Sequence, residues 1–311
     1  EDSLHIQQMT ATVLEKSQQQ IQKNQKTSQY LQGMMKSMRL MSGNVEASAK
    51  SVEQVWQAST QGQQRMSETL QSMQSLNHDV QGVVEQVKQL DAIAPIKLIT
   101  LAPEVEGNLA MVSQLTALGM RVQLGHTLGT YEDGVAALEN GASSFTHLYN
   151  AMSRLDHRSP GMVGAALAHA NFAEIIPDLL HVHPGAIKAA MRAIPKVYCV
   201  TDSTSASGMP DGEYMLGRQV VHKCLGGVRL ADGTLAGSTL TMDQALRNLV
   251  KIGLELDDAS KRVSTYAADF LGLSDRGRLQ VHAYADLVVL DRDLNLVAVY
   301  IEGEKIELKD A

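Results

Sequence analysis

Four apolar runs of strand length each deliver a histidine or an aspartate at their carboxyl end. They are Val122-Gln123-Leu124-Gly125-His126, Phe145-Thr146-His147, Ile175-Ile176-Pro177-Asp178-Leu179-Leu180-His181 and Val197-Tyr198-Cys199-Val200-Thr201-Asp202. Imidazoles from adjacent strand ends, His126 and His147, suit a zinc-like or iron-like ion. A carboxyl group on a later strand, Asp202, can exchange protons with a water that such an ion polarises. Groups of this kind meet when parallel strands open their carboxyl ends into one mouth, the layout of a β/α barrel active site. The alternative for Asp202, followed by Ser203 and Thr204, is a helix or turn cap.

The elements that must position them read as alternating strands and helices. Ile96 to Leu101 is a continuous apolar run, a buried parallel strand. Asn108 to Leu118 is expected as a helix closed by Gly119, Met120 to Leu124 as a strand, and Tyr131 to Leu138 as a helix closed by Gly141. Ser144 to Leu148 is a strand, Met162 to His169 a helix, Glu174 to Leu180 a strand, Gly185 to Ala193 a helix and Lys196 to Val200 a strand. Gly208 to Gly233 reads as hairpin material, Leu240 to Ile252 and Asp258 to Leu271 as helices, and Asp286 to Leu290 with Val297 to Ile301 as terminal strands. A repeated strand-then-helix order means a parallel sheet with crossovers. A full eight-stranded barrel takes about 250 residues, more than follow Pro95, so an incomplete TIM-type (β/α) barrel is expected.

Composition changes abruptly near Pro95. All seven prolines lie from there onward, whereas Gln, Ser and Met are abundant before it. Residues 1–94 are expected to form one domain and 95–311 another. In the first, small or apolar residues recur on an unbroken three-four spacing from Ile6, Thr10 and Val13 through Leu31, Met34, Met38 and Met41 to Val80, Val83, Val87 and Leu90. A seven-residue period held this long specifies a left-handed α-helical coiled coil, a rod of roughly 130 Å. Ser17, Gln20, Asn24 and Thr27 dilute the seam, so a weaker or frayed region is expected there. The apolar stripe demands a partner, either a second copy or another chain. Its methionines are read as seam packing rather than as a metal or ligand site.

Small Ser, Thr and Gly at seam positions with glutamines outside resemble the cytoplasmic helical bundle of methyl-accepting chemotaxis receptors. Met9-Thr10-Ala11-Thr12-Val13 and Gly62-Gln63-Gln64-Arg65-Met66 are the stretches that carry this likeness. The hairpin tip and returning arm of that family have no counterpart, so its signalling output does not carry over.

A second resemblance is carried by a longer ordered set. Leu98-Ile99-Thr100-Leu101-Ala102-Pro103-Glu104, Gly125-His126-Thr127, Thr146-His147-Leu148-Tyr149-Asn150-Ala151-Met152, Leu180-His181-Val182-His183-Pro184, Val200-Thr201-Asp202-Ser203 and Asp232-Gly233-Thr234-Leu235-Ala236-Gly237-Ser238 are similar, in order and spacing, to the N-acetylglucosamine-6-phosphate deacetylases of the amidohydrolase superfamily. That resemblance implies one divalent metal ion, zinc or iron, held by His126 and His147, with Asp202 as catalytic acid and base. It implies a substrate contact for His181, otherwise a satisfied strand-end histidine. Arg158, otherwise a solvated loop arginine, would hold the sugar phosphate with its planar fork, aided by Asn150 and Ala151. Leu235, Ala236 and Gly237 would form the loop that closes over substrate, Gly permitting close approach. His183 is expected to be structural. Ser159, Pro177 and Leu179 depart from the residues common in that family.

The family's upstream Glu-Gly-Pro metal ligand and His-x-His pair are missing before Ile96. Glu104 matches its own family position and is not expected to replace the glutamate. The strands after Asp286 would lose their partners and keep unpaired edges.

The reading is therefore metal-dependent deacetylation of N-acetylglucosamine 6-phosphate, with another chain completing the barrel. The alternatives are a coiled-coil interaction or signalling module with an inert barrel remnant, or two joined reading frames. The partner expected is a phosphorylated amino sugar, with homo-oligomerisation through the coiled coil or the barrel. A net charge of -7 without basic clusters points away from nucleic acid. No apolar run of membrane length occurs, and neither export signal nor paired-cysteine spacing surrounds Cys199 and Cys224. A cytoplasmic setting with free thiols is expected.

Overall fold

The computed structural model describes residues 2–308. It divides into two compact units, Glu1–Gln74 and Ser75–Ala311. Helix α1, Asp2–Ile93, runs without a break through 92 residues, including the stretch expected to fray. Seam hydroxyls cost the helix little because they bond back one turn: Thr10 Oγ1 donates to the Ile6 carbonyl at 2.7 Å and Thr27 Oγ1 to Lys23 at 2.9 Å. Met38 and Val55 are 60% and 69% exposed. The helix is present, and no coiled coil is shown among the described residues.

The last turns of α1 belong to the second unit. Val80, Val84 and Val87 are buried while Val83 is 42% exposed, so the packed stripe takes Val84 where the seven-residue seam takes Val83. Gly107 lies against it: a Cβ there would come 2.7 Å from Val80 Cγ2, and its φ is 86°. The compositional break at Pro95 marks the end of the helix, whereas the unit begins some turns earlier, where the valines find apolar partners.

Five short parallel strands alternate with helices: β1 Leu98–Leu101, α2 Asn108–Ala117, β2 Arg121–Leu124, α3 Tyr131–Glu139, β3 Ser144–Phe145, α4 Gly161–His169, β4 Phe172–Ile175, α5 Pro184–Ala193 and β5 Lys196–Cys199. β1, β2 and β3 pair in register, Leu98 with Arg121 and Gln123 with Ser144, and β4 pairs with β5. The Leu148 amide bonds the Glu174 carbonyl at 2.8 Å, linking the end of β3 to β4. A closed ring of eight is not present among the described residues; β1 and β5 each have a strand on one side only. Gly119 and Gly141, at φ 87° and 109°, end α2 and α3 as expected. Thr130 starts α3 with a capping box to Asp133.

Two strands are shorter than their apolar runs. β3 stops before His147, whose φ of 30° turns the chain out of the sheet. β4 stops at Ile175 because Pro177 offers no amide and Leu179 takes φ 66°. Between strands and helices lies the core: Leu115, Leu124, Phe145, Leu148, Met162, Ile175 and Ile187 are fully buried, each contributing about 1.5–3 kcal/mol.

Beyond β5 comes an antiparallel meander of β6 Gly212–Leu216, β7 Gln219–Cys224, β8 Gly227–Arg229 and β9 Leu235–Ser238. The hairpin expected up to Gly233 thus gains a further strand. After α6 Met242–Lys251, the single helix expected over Asp258 to Leu271 is α7 Leu256–Ser260, a π-helical turn Lys261–Thr265 and α8 Tyr266–Leu271. The π turn sets buried Arg262 between the Asp258 carboxylate and the Val197 carbonyl, both at 3.1 Å. The chain closes with antiparallel β10 Leu287–Leu290, β11 Leu296–Ile301 and β12 Glu304–Ile306, the last unforeseen. Val288, Val297 and Ile301 are 60%, 55% and 52% exposed, and β10 and β12 each pair on one side only, the unpaired edges expected for this region. No helix among the described residues is long and apolar enough to cross a membrane. Cys199 and Cys224 are both free.

Candidate active site

His126, His147 and Asp202 stand where β2, β3 and β5 end, and all three have left-handed backbones, φ 49°, 30° and 50°. That conformation is unfavourable by roughly 1–2 kcal/mol for a residue with a Cβ, and such strain concentrates at functional positions. The turn it makes aims both imidazoles at one point. Their Nε2 atoms are 2.9 Å apart and the rings stand nearly edge to face at 74°. Two imidazole nitrogens bound to a single ion, each about 2.0–2.1 Å from it, lie about 3 Å apart, so the pair fits two positions of a coordination shell.

Burial, then the neighbouring His126 charge, lowers the His147 pKa; the Asp202 charge opposes them. The ring is therefore kept neutral, the form in which imidazole binds metal. His147 Nδ1 is buried without a hydrogen-bond partner, so it lacks the acceptor that usually fixes a ligating ring. Among the described residues no group of three or more His, Cys, Asp or Glu comes together to hold an ion. Catalytic zinc sites use three protein ligands; among the described residues two imidazole nitrogens come together here.

Below the pair runs a buried polar chain that the sequence reading missed. Gln123 Nε2 donates to Glu174 Oε1 at 2.9 Å and to the Tyr198 hydroxyl at 2.7 Å. The His147 amide donates to Glu174 Oε2 at 3.2 Å. Burial pushes the Glu174 carboxyl up, against the hydrogen bonds from Gln123, the His147 amide and Tyr198. Burial, then the Glu174 charge, raises the Tyr198 phenol far above its usual range. The readable signal was a Gln and a Glu within strands otherwise apolar enough to be buried, where a polar side chain must find partners.

Asp202 is exposed, and its carboxylate caps nothing among the described residues; the local turn bond runs from the Ser203 amide to Thr201 Oγ1 at 3.4 Å. Its carbonyl accepts from the Ser238 amide at 2.7 Å. Gly237, φ 83°, makes that approach possible: a Cβ would stand 2.5 Å from Thr204 Cγ2 and 3.0 Å from the Asp202 carbonyl. Gly237 is therefore brought to Asp202, and Leu235 and Ala236 precede it on β9.

His181 Nδ1 pairs with Asp178 Oδ2 at 2.6 Å, both side chains nearly buried, and its amide bonds Asp178 Oδ1 at 2.8 Å. Burial pushes the Asp178 carboxyl up, but the hydrogen bonds from His181 and Leu180 and the His181 charge outweigh it and leave it below its ordinary value. His183 accepts from the Gly185 amide through Nδ1 at 3.1 Å and caps α5. Asn150 Nδ2 donates to the His147 carbonyl at 3.1 Å, and Ala151, φ 47°, gives its carbonyl to the Thr127 amide at 3.0 Å. Arg158 is exposed on the loop before α4 and forms no ion pair among the described residues. Neither Arg158 nor His181 bonds to the imidazole pair. A cavity of about 350 Å³ opens at the opposite, amino-terminal ends of β2, β3 and β4, against Arg121, His169 and Phe270, and contains none of these residues.

Comparison with known proteins gives a match of the amidohydrolase family to residues 7–306. The chain is 42% identical over 229 residues to N-acetylglucosamine-6-phosphate deacetylase of Lysinibacillus sphaericus, covering 72% of this chain and 59% of that protein. It is 38% identical over 227 residues to N-acetylgalactosamine-6-phosphate deacetylase of Escherichia coli O157:H7, covering 71% and 60%. The crystal structure of N-acetylglucosamine-6-phosphate deacetylase from Pasteurella multocida superposes with a TM-score of 0.68 at 32% identity, covering 71% of this chain and 60% of that one. This chain thus spans less than two thirds of the length of these relatives. None of the three is a chemotaxis receptor, and that likeness of residues 1–94 stays an expectation.

Proposed function

The chain belongs to the amidohydrolase family, and we propose that its α/β unit carries one part of a metal-dependent deacetylase site for an N-acetylhexosamine 6-phosphate. The observation that carries this reading is the pair of strained strand-end histidines with Nε2 atoms 2.9 Å apart, in a chain 42% and 38% identical to relatives named as deacetylases of such sugars. A bound divalent ion supplies a water acidic enough to attack an amide near neutral pH.

The residues present divide the remaining work. His126 and His147 offer imidazole nitrogens to the ion. Asp202, exposed at the mouth and near enough for its charge to act on His147, takes a proton from the attacking water and returns one to the departing amine nitrogen. Its carbonyl, held by the Ser238 amide at 2.7 Å, fixes the turn from which the carboxylate works. Arg158 has an unpaired guanidinium suited to a phosphate, with Asn150 and Ala151 on the turn after β3. His181, oriented by Asp178, presents its second ring nitrogen to the sugar, and Leu235, Ala236 and Gly237 bound the acyl side beside Asp202. Another chain or segment has to bring the third ligand and the strands beside β1 and β5. Homo-oligomerisation through residues 2–74 would bring copies together, and the reading places the reaction in the cytoplasm.

Cobalt(II) titration of the purified chain, followed by absorbance, tests the pair directly. A single site is expected. His126→Ala and His147→Ala should each weaken it by more than the roughly 10–100-fold typical of an outer-shell loss. Binding that neither substitution alters removes the reading. Amine release from N-acetylglucosamine 6-phosphate and from N-acetylgalactosamine 6-phosphate then identifies the sugar.

A further inference from the structure

Glu104 lies just past the end of β1, and its two carboxylate oxygens hold the residues that follow His126. Oε1 accepts from the Leu128 amide at 2.7 Å, and Oε2 accepts from the Thr127 hydroxyl. Thr127 Oγ1 accepts in turn from the Gly129 amide at 3.0 Å. The Thr127 main chain bonds the turn after β3 on both sides, its amide to the Ala151 carbonyl and its carbonyl to the Ser153 amide, each at 3.0 Å. The packing leaves no slack: a Cβ on Gly129 would stand 3.0 Å from Glu104 Oε2. One carboxylate therefore ties the end of β1 to the turn after β2 and, through Thr127, to the turn that carries His147.

These bonds hold a conformation that would otherwise relax. His126 sits at φ 49°, a strain of roughly 1–2 kcal/mol, and its side chain is exposed, so core packing does not fix it. The next two residues are fixed by Glu104. With Oε2 engaged by Thr127 and Oε1 by Leu128, each carboxylate oxygen already accepts a hydrogen bond from the loop, and neither bonds to the imidazole pair among the described residues.

We propose that Glu104 is a positioning residue that fixes His126 beside His147 by clamping Thr127 and Leu128, and that it is not a metal ligand. The inference rests on the reading of the two histidines as a metal-binding pair. It is tested on the whole chain with Glu104→Gln, Glu104→Ala and Thr127→Val, reading cobalt(II) affinity together with hydrogen exchange of the Leu128 and Gly129 amides. A clamp predicts that Glu104→Gln, whose amide oxygen still accepts from Leu128, stays within about threefold of the unmodified chain, while Glu104→Ala and Thr127→Val each lose about tenfold or more. Both of the latter should speed exchange at Leu128 and Gly129. Equal losses in the Gln and Ala variants with no effect of Thr127→Val would make Glu104 a ligand and overturn the proposal, as would unchanged affinity in all three. If the unmodified chain takes no cobalt, the metal reading fails by itself. The clamp is then decided by exchange: faster exchange at 128 and 129 in Glu104→Ala upholds it, and unaltered exchange sinks it.

Discussion

Gly125→Ala tests how closely the strand ends must approach for the histidines to meet. Gly125 has an ordinary backbone, so the cost is one of space: an added Cβ would lie 2.7 Å from Thr146 Cβ, 3.0 Å from Thr146 Oγ1 and 3.1 Å from Thr100 Cγ2. Neither threonine can simply swing away. Their hydroxyls bond each other at 2.9 Å, and Thr146 Oγ1 donates to Gln123 Oε1 at 3.2 Å, into the polar chain that reaches Glu174. The methyl must separate β2 from β3 or force a threonine off its rotamer, an overpacking cost of about 1–3 kcal/mol. It also moves His126 relative to His147, so cobalt(II) affinity should fall with stability. Urea unfolding has to be followed by near-ultraviolet circular dichroism of the tyrosines. The single tryptophan, Trp56, is 69% exposed on α1 outside the α/β unit, and α1 dominates the far-ultraviolet signal. Gly212→Ala is the control: nothing lies within 4 Å of its added Cβ, so it should change stability by no more than about 0.5 kcal/mol. A Gly125→Ala chain as stable as this control, with unaltered cobalt binding, would refute the claim that crowding at the strand ends sets the pair.

The Asp178–His181 pair gives the chain an acid-sensitive contribution. The lowered Asp178 pKa adds stability that is fully present above the ordinary carboxylate value of about 4 and is lost as pH falls through the folded value. Asp178→Asn should therefore be less stable than the unmodified chain at pH 7 and converge on it in acid; urea midpoints that stay equally far apart at both pH values would count against it. A peptide of residues 1–74 should gain helicity with concentration and sediment as an oligomer, because its apolar stripe is exposed throughout. Helicity independent of concentration would mean that the stripe does not drive self-association.

The order of elements from β1 to β5 was legible because those strands fall in apolar runs, with Gly119 and Gly141 closing the helices between them, whereas β9 and β12 were not foreseen. Strand ends were less legible, because His147 and Leu179 leave the sheet by positive φ rather than by a change in hydrophobicity. The convergence of His126 and His147 followed from their places at neighbouring strand ends. What holds them did not, since Glu104 and Glu174 act through backbone amides of residues distant in sequence. For α1 the seven-residue period identified the helix correctly. It placed Val83 rather than Val84 on the packed face because the period describes a parallel partner helix, whereas those last turns pack into the core of the α/β unit.

Left-handed backbone is shared by ten residues that carry a Cβ, Leu225, Leu294 and Glu302 in the turns between antiparallel strands among them, so neither strain nor burial by itself singles out a site. His126, His147 and Asp202 include one exposed carboxylate, one exposed ring and one buried ring, so burial alone would not group them. All three are nevertheless left-handed, and each is held by a bond that crosses to another strand's end: Glu104 to the residues after His126, Glu174 to the His147 amide, and the Ser238 amide to the Asp202 carbonyl. Three such residues carry on the order of 3–6 kcal/mol, comparable to a large share of a domain's net stability. What ties the α/β unit to its proposed activity is where these bonds leave the side chains: two imidazole nitrogens 2.9 Å apart, with the Asp202 charge in range of His147.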